Sequence, residues 1–492
     1  MQLDPVRGGS RPPRHDEALP DGVVSVSAMT RMFQLLTLLL LSFPLAALDV
    51  DVPPAVQPAW ERLVSAHPVP PGIESGSIVA QDLAGNGVRP GFKVVETTIL
   101  VPVARFWDAP AAVTSALVES GRVRLLPIES VVLPDIALPV DGLFPGDPGY
   151  PLVRSLAVGI LGDDPVLVRW FEALPVSTPG ALPRIQWIGA VGDVMPARGV
   201  DETLMARGGI QRVFGDTLPV MSGLDLLVGN LEAAATGTGA KAGKRYTFRF
   251  DPRALGSLAA AGFSYLSLAN NHTFDYGTAG FIDTLENVAD AGIATSGAGR
   301  TAPEASRPAV LNAAGSEVRV LSFAAYAVDR TGFHGRRSAR ATGDRPGALW
   351  LDDEGLSAAA RGFSPSAFNI ALVHGGDEWS STPTAEQRRT YRNLVRAGAD
   401  LVIGSHPHVL QGLEAVDGRL IAYSLGNFLF PGMDGTTGGE TSAILEVGIW
   451  ERKIVTVRVV PIRLRGGTVR LDPQPGTREL LRSLSLTLDR PR

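Results

Sequence analysis

Five short polar clusters each follow an apolar run of strand character: Gly192-Asp193-Val194-Met195, Gly229-Asn230-Leu231-Glu232, Ala269-Asn270-Asn271-His272 with Asp275 three residues on, His374-Gly375-Gly376-Asp377-Glu378, and Gly404-Ser405-His406-Pro407-His408. Asp193, Glu232, Asn271, His374, His406 and His408 supply oxygen and imidazole donors, a set suited to Mn, Fe or Zn. No cysteine is present, so thiolate ligands, disulfides and cysteine nucleophiles are excluded. The neighbours are small, which lets backbone approach an ion or an oxyanion. Each residue also has an ordinary reading. Asp193 and the paired asparagines suit turns, Glu232 suits a helix N-terminus, and Asp275 suits an N-cap for a helix after Gly277. His374 could be a capped core ring, and Glu378 either a support for it or a solvated acid. Alternation in an extended loop could turn His406 and His408 to opposite sides.

The elements that must position these clusters alternate in type. Strands are predicted at 185–191, 224–228, 265–268, 318–324, 368–373, 401–403 and 420–424, with helices at 253–261, 278–291 and 384–397. Strand-like runs at 443–447 and 454–462 follow, and the Arg-rich 478–492 suits a short terminal helix. This alternation indicates a layered α/β domain over 185–465 with a tail at 466–492. In such a sheet the carboxyl ends of strands converge on one crevice, so one shared site is more economical than five separate loops. Upstream, apolar runs at 92–103 and 122–133 flank a predicted helix at 107–120, which makes 55–180 a small α+β accessory domain. Its stretch 142–160 resembles parts of extracytoplasmic solute-binding domains. The proline-containing stretch 175–183 is the expected boundary.

The chain has 492 residues, 45 Lys+Arg against 50 Asp+Glu, and 45% hydrophobic residues. A net charge of −5 spread over that length argues against disorder and against general nucleic-acid binding. Met29-Thr30-Arg31-Met32 precedes an uncharged leucine-rich run at 33–48 that ends in small residues, a secretory signal pattern; retention as an anchor is the alternative. Residues 1–28 then read as an upstream extension, and the protein is expected outside the cytoplasm, periplasmic or at the cell surface.

Residues 186–430 resemble the CapA family of capsule synthesis, associated with poly-gamma-glutamate production and export and related in fold to calcineurin-like metallophosphoesterases. IGAVGDVMPARG, LLVGNLEAAAT, YLSLANNHTFDYGTAGFIDTL, HGGDEW and ADLVIGSHPHVLQGLEAVDGRLIAYSLGNFLF carry the resemblance, in the family's order. It implies one or two divalent ions: Asp193 as the first carboxylate ligand, Glu232 near the bridging position, Asn271 as the amide ligand, and His374, His406 and His408 as imidazole ligands. His272 becomes the catalytic histidine, stabilising charge or protonating a leaving oxygen, with Asp275 orienting it. Asn427 is placed to meet substrate or a metal-bound water. One departure counts against phosphatase chemistry. Met195 stands where metallophosphoesterases carry a histidine, and a thioether is a poor ligand for such ions.

The segment KAGKRYTFRF at 241–250 has two readings. Arg245 and Arg249, alternating on one strand face, could hold a polyanion, with Glu378 and Asn427 as further substrate contacts. Alternatively it is an edge strand of a hairpin with Phe248 packed inward. Two functions follow: a metal-dependent hydrolase of phosphoester or amide bonds in an envelope polymer, or a non-enzymatic component that binds an anionic polymer beside membrane-bound synthesis or export proteins.

Overall fold

The computed structural model describes residues 48–71, 73, 76–82, 91–109, 113–176, 184–326, 328, 334–474 and 476–488. The leucine-rich run before Leu48 and most of the proline-containing boundary lie outside the described residues. Among those described, no helix is long and apolar enough to cross a membrane.

The chain forms two compact units, Met1–Glu96 with Ser155–Ser177, and Thr97–Arg154 with Thr178–Arg492. In the first, the strand Gly76–Asp82 pairs parallel with Leu48–Asp51 and antiparallel with Val153–Leu161. Helices Gln57–Ala66 and Pro165–Ala173 bury Trp60, Leu63, Leu167 and Trp170 against it. Of the predicted helix at 107–120, the described residues form a 3-10 turn, Phe106–Asp108, and a short helix, Ser115–Glu119, and residues 110–112 lie outside the described residues; Thr114 caps the helix by accepting from the Leu117 N–H.

The second unit is a mixed α/β structure. Its elements that concern the site are β1 (Gln186–Val194), β2 (Leu226–Leu231), β3 (Phe263–Ser267), α1 (Gly277–Asp290), β4 (Ser316–Ala325), β5 (Phe368–Gly375), α2 (Ala385–Arg396), β6 (Leu401–Ser405), β7 (Arg419–Ala422), β8 (Asn427–Leu429), β9 (Thr441–Trp450), β10 (Lys453–Arg465) and β11 (Thr468–Leu471). One sheet runs β3-β2-β1-β9-β10-β11, with β8 beside the end of β1. Here β1, β2, β3 and β8 are parallel, and β9 to β11 continue antiparallel. The other sheet has four parallel strands, β4-β5-β6-β7, edged by antiparallel Ala309–Ala313 and Leu413–Val416.

The central parallel strands of both sheets are covered on both faces, which is why they read as near-continuous apolar runs. Ile188, Ala190 and Val228 of one share a core with Val320, Ile370 and Ile403 of the other. Tyr265 spans the gap: its hydroxyl lies 2.7 Å from Ser296 Oγ and 2.5 Å from Ser322 Oγ. Outside, α1 places Phe281, Leu285 and Val288 against Val191 and Leu266, and α2 places Tyr391 and Leu394 against Val373 and Val402. A capping box between Thr384 and Gln387 starts α2 where the sequence placed it. The Gln387 amide also donates to the Gly375 carbonyl, tying the cap to the residue after His374.

Candidate metal centre

The carboxyl ends of β1, β2, β3, β5 and β6 meet, with Asn427 at the start of β8 beside them, and the side chains at these strand ends fill the meeting point. Asp193 closes β1; Asn230 and Glu232 close β2; Asn270, Asn271 and His272 follow β3; His374 lies at the end of β5, and His406 and His408 follow β6. All are buried. Close approach of backbones makes this possible: a Cβ on Gly192 would lie 1.8 Å from the Gly426 carbonyl oxygen, and one on Gly404 1.9 Å from that of Tyr423. His406 (φ 95°) and His408 (φ 59°) both adopt the left-handed region that disfavours a side chain. Non-glycine strain of this kind persists only where surrounding contacts over-determine it, and it concentrates at functional sites.

The centre is organised around two buried acids. Asp193 Oδ1 accepts from the Asn230 amide at 2.8 Å; its Oδ2 accepts from the His406 backbone N–H at 3.2 Å and lies 3.2 Å from His408 Nδ1. Burial acts to raise the Asp193 pKa, but the His408 hydrogen bond and charge, His374 and Asn230 outweigh it and hold the carboxyl well below its usual range. Glu232 is different. Both its oxygens are buried, and among the described residues neither accepts from an N–H or hydroxyl donor. His374 Nε2, His408 Nε2 and His272 Nε2 stand 3.7, 3.8 and 3.9 Å from its Oε1. Burial first, then the Asp193 charge and a carboxyl–carboxyl hydrogen bond with Asp193, push its pKa well above the ordinary value, and Glu378 adds to the push.

The histidine tautomers follow from their partners. Asn427 donates its amide to the His408 and Gly439 carbonyls, so its Oδ1, 2.9 Å from His408 Nδ1, must accept; Nδ1 therefore carries the proton and Nε2 faces Glu232. Burial works to lower the His408 pKa, yet Asp193 raises it overall. The Asn230 amide donates to Asp193 Oδ1 and, at 3.1 Å, to His374 Nδ1, leaving His374 Nε2–H to donate to Asn271 Oδ1 at 2.9 Å. To take an ion at Nε2, His374 must move its proton to Nδ1, where Ser405 Oγ at 3.0 Å can accept. Burial and then the His406 charge hold the His374 pKa well below its usual value, so the ring is neutral.

These donors fit a divalent ion. Asp193, Glu232 and His374 form one group, and Glu232, His406 and His408 another, whose ligand atoms lie within 4.8 Å of one another. Ligands bound at about 2.0–2.2 Å stand roughly 3–3.6 Å apart around one ion, close to the spacing seen here. Two oxygens of a buried carboxylate ringed by imidazole nitrogens fit a divalent cation. Met195 takes no part, being packed in the apolar core with Phe214, Phe428 and Leu429.

The remaining predicted residues are placed around this centre. His272 Nδ1 lies 2.7 Å from Asp275 Oδ2, and burial lowers the His272 pKa against the pull of Asp275. Asn427 has its amide committed to the protein and supports His408. Glu378 is partly buried, and its charge reaches both Glu232 and His408. The strand expected over 241–250 shrinks to Arg249–Phe250, which pairs parallel with Ala234–Ala235, not as a hairpin. Arg245 and Arg249 therefore do not alternate along one strand: Arg245 lies over the Tyr246 ring and Arg249 over that of Tyr276. Phe248 does pack inward, its ring 4.4 Å from that of His272.

Asn230, Asn270 and Lys244 were not selected from the sequence. Asn270 donates to Asn230 Oδ1 at 3.0 Å and accepts from the His272 and Thr273 backbones, so the two asparagines lock the loops after β2 and β3 together. Their signal was their position one or two residues from a candidate ligand.

Residues 187–432, which contain every candidate ligand, match the family model described as "Bacterial capsule synthesis protein PGA_cap". The chain is 31% identical over 299 residues to the capsule biosynthesis protein CapA of Bacillus anthracis, covering 59% of this chain and 69% of that one. It is 28% identical over 300 residues to the PGA biosynthesis protein CapA of Bacillus subtilis, covering 60% and 75%. A probable polyglutamine synthesis accessory protein of Mycobacterium tuberculosis is 29% identical over 226 residues, 44% of this chain and 58% of that one.

Proposed function

This chain belongs to the bacterial capsule synthesis protein family PGA_cap, and on that premise we propose that it is a metal-dependent hydrolase acting outside the cytoplasm on phosphoester or amide bonds of an envelope polymer. Its place is among CapA-like proteins of capsule and poly-gamma-glutamate biosynthesis. The observation that carries the proposal is the Glu232 carboxylate, buried without a hydrogen-bond donor among three imidazole nitrogens. Asp193, Glu232, Asn271, His374, His406 and His408 would hold one or two Mn, Fe or Zn ions in a metallophosphoesterase-like arrangement. A bound ion supplies Lewis-acid charge for the oxygen of the bond being cleaved. His272, with its Nδ1–H held by Asp275, presents a bare Nε2 to the centre, where it takes the proton released by the attacking water and passes it to the leaving atom. Export rests on Arg31 and the apolar run after it. N-terminal sequencing of fractionated protein tests it, a mature start near Leu48 or membrane retention from near Met29 being expected and a soluble cytoplasmic protein retaining the run opposing it.

A second reading is favoured by Met195, which occupies a ligand position of metallophosphoesterases with a side chain buried in the core. On that reading the protein binds an anionic polymer without cleaving it. Metal analysis of protein purified from its native compartment, joined to an activity screen on phosphate esters and gamma-glutamyl polymers, separates the two. Stoichiometric divalent metal with chelator-sensitive turnover is the expected result. A metal-loaded protein without turnover on any substrate favours the second reading, and a metal-free one removes the first.

A further inference from the structure

Residues 242–248 close around Asp275. The Ala242 N–H donates to the Asp275 carbonyl at 2.8 Å, and the Phe248 N–H donates to its Oδ2 at 2.6 Å. Between them Lys244 Nζ donates to Asp275 Oδ1 at 2.7 Å and to the Asn271 carbonyl at 2.6 Å. The Lys244 side chain is 1% exposed and that of Asp275 0%, so this is an ion pair fully removed from water. Asp275 Oδ2 also meets His272 Nδ1, and the Phe248 ring covers the imidazole.

An ionised carboxylate only accepts hydrogen bonds, so His272 Nδ1 must carry the proton and Nε2 must face Glu232. A buried carboxylate without its cation would favour the neutral acid, whose O–H can donate to Nδ1 and reverse that tautomer. Stability gives no sufficient reason for the pair, because apolar replacements of buried ion pairs are often neutral or stabilising. Lys244 also grips the peptide of Asn271, so a single cation holds both the amide ligand and the acid that orients the neighbouring histidine.

We propose that Lys244 is a positioning residue that sets the His272 tautomer, with Nε2 aimed into the centre, and keeps Asn271 in register with it. Its consequence for a reaction rests on the metal-dependent reading above; the tautomer does not. The test uses ion-free full-length protein carrying nitrogen-15 histidine, whose seven rings are few enough to resolve, with His272→Gln assigning the signal. In wild type the proton is expected on Nδ1. Lys244→Arg, which keeps the charge, should preserve this, whereas folded Lys244→Met, or Lys244→Gln if the methionine variant does not fold, should shift the proton towards Nε2. The same uncharged variant should lose about tenfold or more in Mn2+ affinity, the usual scale for a support behind a ligand. A wild-type proton on Nε2, an unchanged His272 signal in a folded uncharged variant, a folded Lys244→Arg that loses the tautomer, or the absence of any folded variant would each overturn the proposal. Wild-type protein that binds no Mn2+ would instead sink the metal reading and leave the tautomer result standing.

Discussion

Two fully buried acids on either side of His272 are treated in opposite ways. Asp275 has a backbone N–H and His272 Nδ1 on one oxygen and the Lys244 ammonium on the other. Among the described residues no N–H or hydroxyl donates to either Glu232 oxygen, and burial together with the neighbouring Asp193 carboxyl resists its ionisation. Buried polar groups in native proteins are nearly always paired, so an exception next to a well-made pair is a place an external cation could fill. Asp275 is an internal salt whose cation is part of the chain. On the metal-dependent reading, Glu232 is half of a salt whose cation comes from solution.

The largest expected effect breaks the satisfied side. Asp275→Asn leaves the Lys244 ammonium buried without its counter-charge, a class of change that costs about 3–5 kcal/mol. Urea unfolding of ion-free protein should show that loss. Glu232→Gln should have the opposite character, removing a costly buried carboxyl and leaving ion-free stability equal or higher, while Mn2+ or Zn2+ affinity measured by calorimetry falls roughly 100-fold or more, beyond the loss typical of an outer support. If Glu232→Gln destabilises the ion-free protein as much as Asp275→Asn does, the contrast between the two acids is wrong. On the hydrolytic reading, His272→Ala should keep its metal and lower turnover by about 100-fold, the scale of general acid catalysis. Normal turnover in a folded, metal-loaded variant would remove His272 from the chemistry.

The six candidate ligands were legible because each ends or follows a strand, and parallel strand ends converge by topology whatever the intervening loops do. The helices around the site were legible for a related reason: a 3.6-residue apolar period over 278–291 and the Thr384 cap before 385–396 are local signals. The 241–250 segment was not. Its cations and aromatics alternate as a strand would, but their partners are Asp275, Tyr246 and Tyr276, and no local period encodes which distant group a lysine will reach. Asn230 was hidden for the same reason. Its work is to orient Asp193 and His374, which are 37 and 144 residues away in sequence.

Proton linkage sharpens the contrast further. Glu232 and His408 both have pKa values above their ordinary 4.5 and 6.5, so in the ion-free protein each retains its proton to higher pH than usual. A cation must displace those protons, and His374, already neutral, contributes none. Metal affinity should therefore rise with pH above 4.5, and continue rising beyond 6.5, by up to about tenfold per unit for each proton released. The stability sign for Glu232 agrees: its folded value lies above the unfolded one, so ion-free stability is lost as pH rises through the raised value. Calorimetry in buffers of different ionisation enthalpy should detect the released protons, and Glu232→Gln should release fewer. A pH-independent affinity over this range would mean that Glu232 is not a ligand.

The smallest effect is expected at Arg249, the cation that sequence alone offered for holding a polyanion. It is exposed and stacks with its guanidinium 4.7 Å from the Tyr276 ring centre, an arrangement worth about 0.5–1 kcal/mol at the surface. It borders a cavity of about 560 Å³ whose other walls include Asp201, Asp251 and Asp283. Asp251 is already paired with Arg253, so Asp201 and Asp283 are the acids set against the Arg249 guanidinium; they oppose its pull on a polyanion, and salt at physiological strength screens what attraction is left. Arg249→Ala should accordingly shift stability by no more than about 1 kcal/mol, and change affinity for a gamma-glutamyl polymer less than twofold, with no change in the salt dependence of binding. A tenfold loss of affinity that disappears at high salt would restore Arg249 as a polymer contact, and would place an anion site away from the buried acids of the candidate metal centre.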